Sequence, residues 1–150
     1  MIEDLIPFLR ARYGEIEARA LAADVKQGDP IWWVSPVLAT AGQHFTVRSK
    51  RDNRPIARVE RLEGYGEEPG SILDGGAVAD HIAFHDPAYV LADVLAKRAI
   101  VGMYERERED GHAVSYSTEQ AARIYVLERA VELLAAAYAD HPEYREEWRP

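Results

Sequence analysis

Two of the chain's five histidines, His81 and His85, stand four residues apart in the stretch "HIAFHDP", residues 81–87. On a helix that spacing turns both imidazoles to one face, where they can reach a single metal ion. Asp86 follows at once and adds a carboxylate, so the group could centre a metal-dependent hydrolase. Zinc needs at least a third protein ligand, and Asp86, His112 and His141 are the available candidates. The residues between the histidines are Ile-Ala-Phe, so the glutamate that serves as base in HExxH is missing. A structural reading competes. Asp before Pro is a helix start, with Asp86 as N-cap and Pro87 as the first helical residue, where a missing N–H costs nothing. The structural reading is preferred. No catalytic residue, metal ligand or cofactor is favoured, and His81, His85 and Asp86 remain the candidates of the metal reading.

Three other groups could serve as contact surfaces. In the tail "HPEYREEWRP", Tyr144 and Trp148 offer large apolar surface with a polar handle, and Arg145 and Arg149 could stack on rings. They fit a strap folded over the helices at 140–150, or a surface for a partner. Trp32 and Trp33 in "IWWV" point to opposite faces of a strand, so one is exposed unless a helix or second chain covers it; exposed Trp is favoured at interface hot spots, and core on both sides is the preferred reading. Arg48, Lys50, Arg51, Arg54 and Arg58 form a basic patch in "VRSKRDNRPIAR". It could touch phosphates. The hairpin has no aromatic residue for base stacking, and a solvated, edge-protecting set of charges is the simpler reading.

The elements that would position these residues follow from periodicity. Ile2, Leu5, Ile6, Leu9, Tyr13, Ile16 and Ala20 recur at helical steps, and "KQGDP" at 26–30 ends that helix. "IWWVSPVLA", "HFTVRSK" and "IARVERL" read as three strands, with Phe45 and Val47 alternating against Thr46, Arg48 and Lys50. Ser35-Pro36 shortens the first strand or places it at an edge. Residues 63–76, with five Gly, read as a mobile loop. "AVADHIAFH" is a short helix. The helix from Pro87 buries Val90, Leu91, Val94, Leu95, Ile100, Val101 and Tyr104, then dissolves into "ERERED". The last helix, capped by Ser117 or Thr118, carries Ile124, Leu127, Val131, Leu134 and Tyr138 as its stripe.

At 150 residues and 47% hydrophobic the chain suits one domain with a real core. Cysteine is absent, which excludes disulfides and thiolate–metal chemistry. The formal charge is −8, which argues against broad nucleic-acid binding. Residues 43–63 are the exception, with six basic side chains against three acidic ones. No apolar run approaches the ~18 residues of a membrane span. The first twenty residues are too charged for a signal peptide, so a cytoplasmic location is expected.

"MIEDLIPFLRAR", "HIAFHDPAYVLADVLAKRAIV" and "YADHPEYREEWRP" together resemble a family of small uncharacterised proteins from actinobacteria and their phages, a domain of unknown function. The tail is the most specific block. The resemblance implies an actinobacterial or actinophage protein of the cytoplasm, encoded by host or phage. Many relatives carry cysteines and a His shortly after the middle helix, where this chain has "GMYERERED".

The expectation is a single α+β domain: an N-terminal helix, a three-stranded antiparallel meander, helices packed on one of its faces and a C-terminal strap. A non-enzymatic protein–protein interaction protein is the first function, in its phage version a host-modulating one. The expected partner is another protein, and the long apolar helices also allow a homodimer. No membrane is involved. The alternatives are the hydrolase and a weak nucleic-acid contact through the hairpin 48–61.

Overall fold

A computed structural model describes residues 2–27, 30–35, 44–60, 75–110 and 117–150. Helix α1 spans Ile2–Gln27. Strands β1 (Trp32–Val34), β2 (His44–Ser49) and β3 (Pro55–Glu60) form an antiparallel sheet in that order. Helices α2 (Gly75–Phe84), α3 (Pro87–Asp110) and α4 (Thr118–Ala136) follow, with a 3-10 turn at Glu146–Trp148. The architecture is α+β with an N-terminal helix and a meander. The chain divides into two compact units, Met1–Ile16 with Asp93–Pro150, and Glu17–Ala92.

The first unit is helical. Leu5, Ile6, Phe8, Leu9 and Tyr13 of α1 pack with Val94, Val101 and Tyr104 of α3, Val131 and Ala135 of α4, and Trp148. The three- and four-residue steps of the sequence stripes place these side chains on one side of each helix. Leu95 departs from its expected place: it is 70% exposed, because one residue after Val94 the helix has turned ~100° away from the core. The run "ERERED" also stays helical, to Asp110. Its charges are held rather than merely solvated. Arg10 pairs with Glu105 at 2.8 Å, Arg123 with Glu107 at 3.4 Å, and Arg108 donates to the Tyr104 hydroxyl at 3.0 Å. Ser117, not Thr118, caps α4, its Oγ accepting from the Gln120 N–H at 3.1 Å.

The tail packs on the same core. Trp148 is 4% exposed, its ring 5.0 Å from Phe8 and 5.7 Å from Tyr144. Arg145 pairs with Asp4 at 2.6 Å. Arg12 is a buried cation on α1. Its Nη1 lies 2.8 Å from His141 Nε2 and 2.9 Å from Glu143, and Nη2 pairs with Glu15. The Glu143 carboxylate, ahead of Glu15, holds the Arg12 pKa above its ordinary value.

The second unit contains the sheet. β1 pairs with β2 through Trp32–Ser49, Trp33–Arg48 and Val34–Val47. It stops at Val34 and lies at an edge, as Ser35-Pro36 suggests, and the rest of the expected first strand falls outside the described residues. β2 pairs with β3, with Val47 opposite Ala57 and Arg48 opposite Pro55. Ile56 is thus an extra residue, a local bulge that lets Ile56 and Ala57 both pack inward. The hairpin turn closes through Ser49 N–H to Arg54 C=O at 2.9 Å, with Asn53 at φ 59°, a conformation that Asn tolerates. Ala79, Ala83 and Ile82 of α2 seat on the face made by Trp32, Val34, Phe45, Val47, Ala57 and Val59. Of the glycine-rich stretch at 63–76, only Gly75 and Gly76 are described, and they begin α2.

Candidate functional site at the start of the third helix

Asp86 organises the junction. Its side chain is buried, at 8% exposure. Oδ1 accepts from the Tyr89 N–H at 2.8 Å, and Oδ2 accepts from the Trp32 N–H at 3.2 Å. Its carbonyl takes the first intrahelical bond, from Val90 at 3.0 Å. Ala88 N–H finds the Pro30 carbonyl at 3.1 Å, and Pro87 has no N–H. Every early donor of α3 is therefore accounted for. A carboxylate there also suits the positive end of the helix dipole. The same residue caps α3 and ties it to β1.

His81 and His85 close the preceding helix. The His85 Nδ1–H donates to the His81 carbonyl at 2.9 Å, which places a proton on Nδ1. The two rings stand 4.3 Å apart. Phe84 and Tyr89 complete the group: Phe84 lies 5.2 Å from His85 and 4.7 Å from Tyr89, and His85 lies 5.5 Å from Tyr89. Phe84 is 62% exposed and Tyr89 44%. Four rings thus meet on the surface, on a helix junction whose backbone is pinned by Asp86.

The structure brings His81 and His85 together as their spacing suggests. It does not turn the Asp86 carboxylate toward them, since both oxygens face backbone donors. His141 is held by Arg12 in the other unit, and His112 lies outside the described residues. Among the described residues no group of three His, Asp or Glu is arranged to hold a metal. Phe84 and Tyr89 carry no motif of their own. The available signal was a Phe between two histidines, three residues after His81, on α2 and away from Ala79 and Ala83.

The remaining candidates fall in different settings. Trp32 is half-buried between sheet and α2, while Trp33 is half-buried on the other face beside Arg48. Tyr144 is half-buried with its hydroxyl enclosed and unpaired, and Trp148 belongs to the core. Arg48 donates to the Asn53 carbonyl at 2.7 Å. Lys50, Arg51, Arg54 and Arg58 are exposed. The Asp52 carboxyl is held below its usual range by the Ser49 hydroxyl, then by the Arg54 N–H.

No described helix is long and apolar enough to cross a membrane. No curated protein and no solved structure matches the chain. The blocks at its start, middle and end lie within one continuous match over residues 2–150 to the model described as "Family of unknown function (DUF6221)", and the chain belongs to that family.

Proposed function

We propose that the protein is a non-enzymatic binding protein that docks a protein partner through Phe84, Tyr89, His81 and His85. One observation carries this: four aromatic rings cluster in the open on a backbone that is already fixed. Interface hot spots are enriched in large aromatic side chains on ordered surfaces, and a fixed surface loses little entropy on binding. The chemistry-bearing groups support the same reading, since Asp86 and the His85 Nδ1 are engaged in local structure. The setting implied by the sequence resemblance, the cytoplasm of an actinobacterium or of a phage-infected one, belongs to this proposal, and a phage copy would modulate its host.

Full burial of a Phe side chain is worth about 1.5–3 kcal/mol, so the exposed part of Phe84 has roughly 1–2 kcal/mol to give. Adding Tyr89, the double variant Phe84→Ala/Tyr89→Ala should weaken docking about 10- to 100-fold. A photocrosslinking residue at the exposed Val78, one turn before His81, tests this in cell extract. The expected result is a discrete adduct that the double variant loses. Adducts unchanged in the variant would refute the proposal.

A second copy of the chain is the other reading. Leu95 of α3 and Tyr125, Val126 and Leu133 of α4 are 63–70% exposed, apolar side chains that a second copy would cover. Light scattering at rising concentration would show a dimer, which Leu95→Glu/Leu133→Glu would dissolve.

A further inference from the structure

The basic hairpin has no aromatic residue of its own, but the strand register supplies one. Trp33 of β1 is the partner of Arg48 on β2, and Thr46 is the partner of Arg58 on β3. Paired residues project to the same face of a sheet, and side chains alternate along each strand. Trp33, Thr46, Arg48 and Arg58 therefore share one face, and α2 covers the other. One indole stands among two guanidiniums, with Lys50, Arg51 and Arg54 at the adjoining hairpin tip.

The surroundings sharpen the charge. Between residues 44 and 60 five basic side chains meet two acids, in a chain of formal charge −8. One of those acids, Asp52, sits within the turn, accepting from the Arg54 N–H at 3.1 Å and pairing with the Arg54 guanidinium at 3.4 Å, so Arg54 is partly neutralised. The hairpin is held by its own hydrogen bonds, and Arg48 is braced against the Asn53 carbonyl. The cations are thus presented on an ordered element. An acidic body repels a polyanion everywhere else and confines contact to this face.

We propose that this sheet face binds single-stranded nucleic acid, with one base stacked on Trp33 and neighbouring phosphates on Arg48, Arg58 and the hairpin tip. The site goes beyond the protein-docking cluster and does not depend on it. Strands lie ~4.8 Å apart, so three of them span roughly 10 Å. That is room for a few nucleotides, at the short end of the ~4–16 known for OB folds. A base must leave its duplex to lie flat on an indole, which selects single strands. An acidic polypeptide would satisfy the guanidiniums but has no flat group to cover Trp33.

The test is fluorescence anisotropy of the full chain with a labelled 15-nucleotide single-stranded DNA of mixed sequence, between 20 and 200 mM salt. With about three phosphates engaged, log K should fall with log salt at a slope of about −2, from −0.7 per phosphate on single strands. Arg48→Ala/Arg58→Ala should cut the slope to about −0.7. Trp33→Leu should weaken binding about tenfold, as loss of one stacked base does, and abolish the quenching of tryptophan emission on binding. If either variant misfolds by circular dichroism, Arg54→Glu at the exposed tip replaces it and should still weaken binding. Phe84→Ala/Tyr89→Ala should leave binding intact, which separates this site from the docking cluster. No binding at 20 mM salt overturns the proposal. So does equal affinity for duplex, a salt slope unmoved by the arginine variants, or displacement by poly-glutamate at matched charge, which would assign the face to an acidic polypeptide.

Discussion

Replacing Asp86 separates the structural role of this carboxylate from a ligand role. Asp86→Ala removes two hydrogen bonds that the structure shows directly, to the Tyr89 and Trp32 amides. Loss of an N-cap costs about 1 kcal/mol, within ~0.5–2. A part-buried Trp32 N–H left without its acceptor adds about 1 kcal/mol or more. The sum is roughly 2–3 kcal/mol, or about 4–12 °C in melting temperature at ~2–4 °C per kcal/mol. Asp86→Asn keeps one oxygen, which can still cap the Tyr89 N–H, and puts an amide NH2 in place of the oxygen that accepts from the Trp32 N–H. It loses the bond to Trp32, about 1 kcal/mol, and the charge at the helix end, about 0.3–1 kcal/mol, but keeps the N-cap, and should be the milder variant. Urea unfolding gives the totals, and amide exchange at Trp32 and Tyr89 locates them. Asp86→Ala should speed exchange at both amides, and Asp86→Asn at Trp32 far more than at Tyr89. Wild-type stability in Asp86→Ala, or equal damage from Asn and Ala, would refute the reasoning.

Trp148→Ala should destabilise the helical unit by about 3–5 kcal/mol, the cost of emptying a buried aromatic site, measured by denaturation; a loss under ~1 kcal/mol would mean that the tail is not part of the core. Burial pushes the phenols of Tyr13, Tyr104 and Tyr138 upward. Their contribution is therefore complete below the ordinary tyrosine value of ~10 and is lost as pH rises above it. Ultraviolet titration should show these three ionising above the ordinary tyrosine value, together with a fall in stability at alkaline pH.

Much of the frame was legible because it is local. The α1 stripe from Leu5 to Tyr13 and the α4 stripe around Val131 depend only on helical period. The Asp86-Pro87 start depends on two adjacent residues. The β2–β3 hairpin follows from alternation on either side of "RDN". What escaped depends on partners distant in sequence. Nothing near "ERERED" says that Arg10 and Arg123 will hold its glutamates, so its helix looked as if it would fray. Leu95 is as apolar as Val94, and only the position of the core relative to α3 separates them. The bulge at Ile56 needs the register of β2 against β3.

The candidate surfaces show the same division more sharply. The i, i+4 histidines announce themselves as a metal pair, yet what lies around them is Phe84 and Tyr89. Tyr89 sits beyond the Asp86 cap and meets the histidines only because the chain turns there. Trp33 joins the arginines only through β1–β2 pairing, which no stretch of "IWWV" encodes alone.

The second unit then has a simple physical logic. Ala79 and Ala83 are four residues apart and small, so α2 can sit close on one sheet face, with Val47 fully buried and the residues around it partly buried. Away from them stand the exposed His81 and Phe84 of α2, with His85 just past its end. The sheet, covered on one side, must turn its alternate residues outward, and those are Trp33, Arg48 and Arg58. The unit therefore offers an aromatic surface and a basic aromatic surface on its two opposite sides, with the packed alanine and valine layer between. The two share a core but no side chain. Substitutions at Phe84 and at Arg58 should accordingly act independently, with free energies that add to within about 0.3–0.5 kcal/mol, as for distant sites without common partners. A larger coupling would mean that α2 moves on the sheet when either face is engaged.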